Sequence, residues 1–260
     1  MTGFWDFDQA FVQWDDKQLI MGNGVIRRVI DLSRNYSCTR SITLQNEEFA
    51  SPEYDSCDCS FFGINSPDRK KAATRWHLHK DICARIIPQP EFDAPHIEVK
   101  LFFIEEYQQA EFTRIFRIYR DLPVISVQNT LVSGSIPNCY WTSREELSRN
   151  NGRFPDSYRE STVDSFALAP DCRLQYSVEF RGRTDYCNDL VHRHDACGNT
   201  GKFSGNLMLI SRENSAVSLL VLQEAPPSAE RRDFETYDFR CDGKRFHSGC
   251  KATHYRPLPA

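Results

Sequence analysis

The chain has 260 residues, of which 40% are hydrophobic and 26% charged, with a formal net charge of −4. That size and apolar content suffice for one large domain, or two small ones, with a buried core. The acidic balance argues against a nucleic-acid partner, which needs a basic face, and no apolar run approaches the ~20 residues of a membrane-spanning helix.

The opening stretch, Met1 to Asp8, is acidic and aromatic. It lacks the basic segment and apolar core of a secretory signal. Residues 1–16 read as an extension ahead of a domain at 17–255. Gly22-Asn23-Gly24 has no helical pattern after it, so it reads as a hairpin turn and not a phosphate loop. Residues 45–75 and 140–165 are polar and turn-rich and read as long loops. Arg69-Lys70-Lys71, inside the first, reads as a solvated charge run.

Ile97, Val99, Leu101 and Phe103 alternate with Glu98, Lys100 and Phe102, the period of a strand. Phe112–Tyr119 and Val124–Val132 flank Asp121-Leu122-Pro123 and read as consecutive strands. Ser143-Arg144-Glu145-Glu146 has the form of a capping box, and Asn150-Asn151-Gly152 follows. It predicts one short helix over 143–149. Leu174, Tyr176, Val178 and Phe180 alternate with polar residues and predict a half-buried strand with those four on one face. Leu207–Ile210 and Leu219–Leu222, joined by the polar Ser211–Ser215, predict an antiparallel pair. The second run stops at Glu224-Ala225-Pro226-Pro227, because prolines cannot donate to a ladder. The tail, Arg256 to Ala260, reads as an extended linker. Many strand-like runs and one short helix predict an all-β fold of two packed antiparallel sheets.

Ten cysteines stand at 38, 57, 59, 83, 139, 172, 187, 197, 241 and 250. Their spacing is irregular, and a chain this long needs no covalent staples. Most are expected to be free thiols in a reducing, cytoplasmic setting. Cys83, between Ile82 and Ala84, sits in apolar company, and Cys57 with Cys59 and Cys241 with Cys250 are the pairs closest to linkage.

His77 with His79, and His192 with His194, would each share a strand face. Zinc needs three or four ligands. Only Asp195 and Cys197, near the second pair, come close, so no metal or cofactor is expected. No Gly-x-Ser-x-Gly nucleophile elbow is present. Glycoside hydrolysis needs two facing carboxyl groups. Glu224, Asp185 and Asp233 are carboxylates of interest, but they serve equally to bind amides at strand ends or to meet a neighbouring domain. Trp141, after Tyr140, and Trp76, beside His77, are aromatic rings on which a sugar could stack or which simply pack.

Gly205-Asn206 before an apolar strand, Leu219-Leu220 leading to Glu224-Ala225-Pro226, and Tyr237-Asp238-Phe239 form a succession with a family likeness. It resembles the N-terminal β-domain of the α-galactosidase-like glycoside hydrolases, family 36 and its near relatives. Gly22-Asn23 with Ile26-Arg27-Arg28 is similar to that domain's opening hairpin, and Asp121-Leu122-Pro123-Val124 to its central turn. Thr184 to Val191 resembles the segment before the Gly-Asn strand.

The resemblance spans about 17–240 and implies a two-sheet antiparallel β-supersandwich of the galactose mutarotase-like type. It implies a non-catalytic domain that supports carbohydrate binding and packs on a (β/α)8 barrel carrying the catalytic aspartates. That barrel would follow residue 260, so this chain alone would lack glycosidase activity. Asp185, Tyr186, Asn188, Glu224 and Trp141 would be the substrate-binding or interface residues. A face made for a barrel would promote self-association when the barrel is missing. Two other readings stand beside it: an autonomous carbohydrate-binding module, and a mutarotase-type sugar epimerase working through His and Glu. For the latter, His96 after Ala94-Pro95 is the nearest motif.

Overall fold

The computed structural model describes residues 2–34, 36–52, 57–59, 76–78, 81–105, 111–131, 163–180, 191–223 and 238–249. Every named element among them is a β-strand, and every strand pairing is antiparallel. The all-β expectation therefore holds for the described residues. The helix expected over 143–149 lies outside them.

The first sheet is a meander of β1 (Gly3–Phe7), β2 (Ala10–Trp14), β3 (Gln18–Gly22), β4 (Ile26–Asp31), β5 (Cys38–Leu44) and β6 (Glu47–Glu48), in that order. The stretch 1–16 thus supplies two strands of this sheet. Alternation decides which face is covered: Ala10, Val12 and Trp14 on β2, and Leu19 and Met21 on β3, are buried.

The second sheet holds β7 (Trp76–Leu78), β8 (Cys83–Ile87), β9 (His96–Glu105), β10 (Glu111–Tyr119) and β11 (Ile125–Leu131). Its order is β11-β10-β9-β7, and β8 also pairs with β9. Ile97, Val99, Leu101 and Phe103 are buried, as their period predicts. They share one apolar core with the inner face of the first sheet, where Phe103 stacks on Phe112 at 4.8 Å.

The remaining strands are β12 (Asp164–Ala167), β13 (Cys172–Phe180), β14 (Val191–Asp195), β15 (Thr200–Phe203), β16 (Leu207–Arg212), β17 (Ser218–Leu222), β18 (Phe239–Asp242) and β19 (Arg245–Ser248). They make two four-stranded sheets, β12-β19-β18-β15 and β14-β13-β16-β17. A second core lies between these, built from Phe166, Leu174, Met208, Ile210, Leu219, Phe239 and Phe246. Ile42, Phe49 and Ala50 enter it from the first sheet's side, and Ala50 bridges to Leu168. The segment read as a loop over 45–75 therefore begins as core.

The β16–β17 pair forms as expected, with Leu207 opposite Leu222 and Ile210 opposite Leu219. Asn214, at φ 62°, turns the connection in the left-handed region that asparagine tolerates. On β13 the expected single face is broken. The register against β16 shifts between Leu174 and Tyr176, and a shift of one residue exchanges the faces. Leu174 points inward, then Ser177, while Tyr176 turns out under the Arg193 guanidinium, 4.1 Å from its ring centre.

Gly205 is fixed by sterics. Its φ is +141°, and a Cβ there would lie 2.5 Å from the Val178 carbonyl oxygen. Gly205→Ala is expected to lose at least about 1–3 kcal/mol from backbone strain, whereas Gly24→Ala, whose Cβ meets only the end of the Gln9 side chain at 3.1 Å, should be nearly neutral. Urea unfolding of the two variants checks this contrast.

Candidate functional site

The residues singled out from the sequence as a site, Asp185, Tyr186, Asn188, Glu224 and Trp141, lie outside the described residues, as does Asp233. What the structure does show is how the segments carrying the family resemblance meet. Asp238 lies at the foot of β18, and its carboxylate accepts from the Gly205 amide at 2.9 Å. The Gln223 amide donates to the Asn206 carbonyl at 2.6 Å, and the Gln223 side chain donates to the Asp238 carbonyl at 2.8 Å. Gly205-Asn206, Gln223 and Asp238 are thus one knot at the end of the fourth sheet, with Asn206 and Asp238 buried. Glu224 is the next residue after that knot.

A second knot joins two other such segments. The Asn23 side-chain amide donates to the Tyr119 carbonyl at 3.1 Å and the Leu122 carbonyl at 2.7 Å. Its oxygen accepts from the Val25 and Ile26 amides, closing the β3–β4 turn. One asparagine therefore shapes the opening hairpin and fastens it to the Asp121-Leu122-Pro123 turn.

Of the histidine pairs, only His77 and His194 have described side chains. His77 is half-buried on β7 opposite Ile104, and His79 lies outside the described residues. His194 faces Glu179 at 3.4 Å, and Asp195 is held by Arg193 at 2.7 Å. Among the described residues, no group of three His, Cys, Asp or Glu side chains is placed to hold a metal ion. All seven described cysteines are free, and Cys83, expected in apolar company, is exposed.

Sequence reasoning missed the most concentrated chemistry in the fold, a buried ion centre where the sheets meet. Arg28 on β4 is paired in two-pronged fashion with Asp164 on β12, both bonds at 2.7 Å. Arg114 on β10 reaches the same carboxylate at 2.5 Å and donates to the Val163 carbonyl at 2.9 Å. Asp58 accepts from the Thr39 hydroxyl and amide at 2.7 and 2.8 Å and from the Ser37 hydroxyl at 3.1 Å. Arg28 donates to the Thr39 hydroxyl, joining the two carboxylates. Arg245 on β19 donates to the Ser165 hydroxyl and the Cys57 carbonyl, each at 2.8 Å, and lies 3.9 Å from Asp58.

Arg114 is fully buried and Asp58 nearly so. Arg28 and Arg114 both lie over the Phe116 ring, at 5.7 and 5.1 Å. Burial pushes the Asp58 carboxyl up, against the pull of Arg28 and Arg114. At Asp164 burial acts the same way, but Arg28 and then Arg114 outweigh it and hold the carboxyl below its usual range. Both carboxylates are thus occupied by protein donors, which is chemistry of cohesion. The available signal was phase: Arg28 stands between Ile26 and Ile30, and Arg114 between Phe112 and Phe116, at inward positions of their strands.

The chain matches no protein-family model and no curated protein.

Two outcomes follow from this geometry. Asp164→Leu strands two buried guanidinium groups and is expected to lose about 3–5 kcal/mol. Adding Arg28→Met and Arg114→Met to it should recover much of that loss in the same denaturation assay. Separately, burial, Arg240 and Arg245 hold His247 down to about 4, below its ordinary 6.5. The unfolded chain then binds the extra proton between those values, so stability falls as pH drops from 6.5 to about 4. The fall is worth up to about 3 kcal/mol, and His247→Gln should flatten it in melting curves taken across that range.

Proposed function

We propose that this chain is an accessory β-supersandwich domain of an α-galactosidase-like glycoside hydrolase. It packs on a catalytic (β/α)8 barrel, supports galactoside-like carbohydrate binding at the shared surface, and has no catalytic residue of its own. The observation that carries the reading is convergence. Gly205-Asn206, Gln223 and Asp238 are tied by direct hydrogen bonds, and Gly22-Asn23 is tied to Leu122. These ties support reading the segments as parts of one domain.

A surface supports the packing role. The outer face of the fourth sheet carries two apolar rows, Leu222-Leu207-Val178 and Leu220-Leu209-Tyr176. Leu220 and Leu222 are 51% and 59% exposed. Contiguous apolar faces on a sheet mark contact with another body. Glu224, next in sequence after Gln223, together with Asp185, Tyr186, Asn188 and Trp141, would be the substrate-binding or interface residues of this reading. The free thiols fit a reducing compartment such as the cytoplasm.

The test joins this chain to a barrel of the family and compares chromogenic α-galactoside turnover with and without it. The expected result is no turnover by the 260-residue chain, turnover by the joined protein, and weaker association when Leu220 and Leu222 are changed to serine. Turnover by the chain alone, lost on Glu224→Gln, would overturn the reading.

A further inference from the structure

Cys57 and Cys59 flank Asp58, a carboxylate of the ion centre. Both are free thiols, with sulfurs 3.8 Å apart. A disulfide holds its sulfurs about 2.05 Å apart, so linkage needs a closing movement of roughly 2 Å. The two thiols are unequal. Cys59 is buried in the first core, while Cys57 is half-buried at its margin. The hydrogen bond with Cys59 holds the Cys57 thiol below its ordinary value, against burial and the Asp58 carboxylate, with Arg114 a smaller help. The same bond, then burial, pushes Cys59 well above.

Two charges act directly on Cys57: the Asp58 carboxylate opposes an anion there and the Arg114 guanidinium favours one. At two other cysteines burial prevails, pushing Cys172 up to about 12 and Cys241 up to about 11.

We propose that Cys57-Asp58-Cys59 is a redox site whose co-reactant is a low-molecular-weight disulfide. The Cys57 thiolate attacks one sulfur of that disulfide, forming a mixed disulfide and releasing one small thiolate, which takes up the proton Cys57 gave up. Cys59 then loses its proton and attacks the Cys57 sulfur, releasing the second small thiol. Two protein thiols are oxidised, one small disulfide is reduced, and the electrons balance. Closure draws in the segment whose Cys57 carbonyl holds Arg245 and whose Asp58 carboxylate holds Thr39. The oxidised form should therefore be the less stable one. This inference does not depend on the glycoside hydrolase reading.

The test incubates the intact, folded chain with oxidised glutathione, quenches with acid, alkylates and maps peptides by mass. The expected result is loss of two hydrogens from the peptide holding Cys57 and Cys59, and a lower melting temperature that reduction restores. In folded Cys59→Ser, Cys57 should retain a glutathione adduct, while in folded Cys57→Ser, Cys59 should carry none. The proposal is overturned if that peptide stays reduced while exposed Cys83 and Cys197 take the adduct, or if Cys57 takes an adduct in the wild type without closing on Cys59. The wild-type map decides the matter even if a variant fails to fold.

Discussion

The fold depends on neutralising arginines that have been taken out of water. A guanidinium cannot shed its charge by titration in the accessible range, so burying one demands a partner at close range. Arg114 is fully buried and Arg28 nearly so, and both converge on Asp164. Their partners come from far along the chain: Asp164 is 136 residues from Arg28, and the Cys57 carbonyl is 188 residues from Arg245. Asp164 meets both arginines only when the first, second and third sheets have come together. That requirement links an apolar core between the first two sheets to a second core between the last two.

Apolar burial supplies the bulk of the driving force and is indifferent to direction. Each buried Phe or Leu side chain contributes about 1.5–3 kcal/mol, and residues such as Phe103, Phe116, Phe239 and Phe246 do so in separate cores. The ion centre adds direction, since Arg28 reaches Asp164 with both prongs only in one relative placement of β4 and β12. Asn23 and Asp238 play the same part on a smaller scale, each tying a turn to a distant segment. Such polar ties fix geometry where apolar contact alone would allow sliding.

Much of this was legible in the sequence. The period-2 runs at 97–103 and 112–119 name their strands and inward faces, and the polar Ser211–Ser215 stretch marks its hairpin. The bulge on β13 was not legible, because a one-residue shift is a property of the pairing with β16 and leaves no composition signal of its own. The strands at 3–14 were passed over because a separate extension and an edge hairpin look alike until a neighbour covers one face. Arg28 and Arg114 were visible as polar residues in apolar phase, but their partner, Asp164, is distant in sequence and follows a polar stretch with no strand pattern. The residues expected to face sugar or barrel lie outside the described residues.

The central claim is that the buried ion centre makes the two cores one cooperative unit. Amide hydrogen exchange followed by mass spectrometry reads each core separately, through peptides of β2, β3, β9 and β10 for one and of β16 and β18 for the other. In the wild type the core amides of both sets should open together, with one opening free energy. In Asp164→Asn, at a temperature where the protein remains folded, the account predicts that the two sets separate, each core opening with its own free energy. If both sets shift together by the same amount, the cores are coupled by something other than the ion centre, and the account is contradicted.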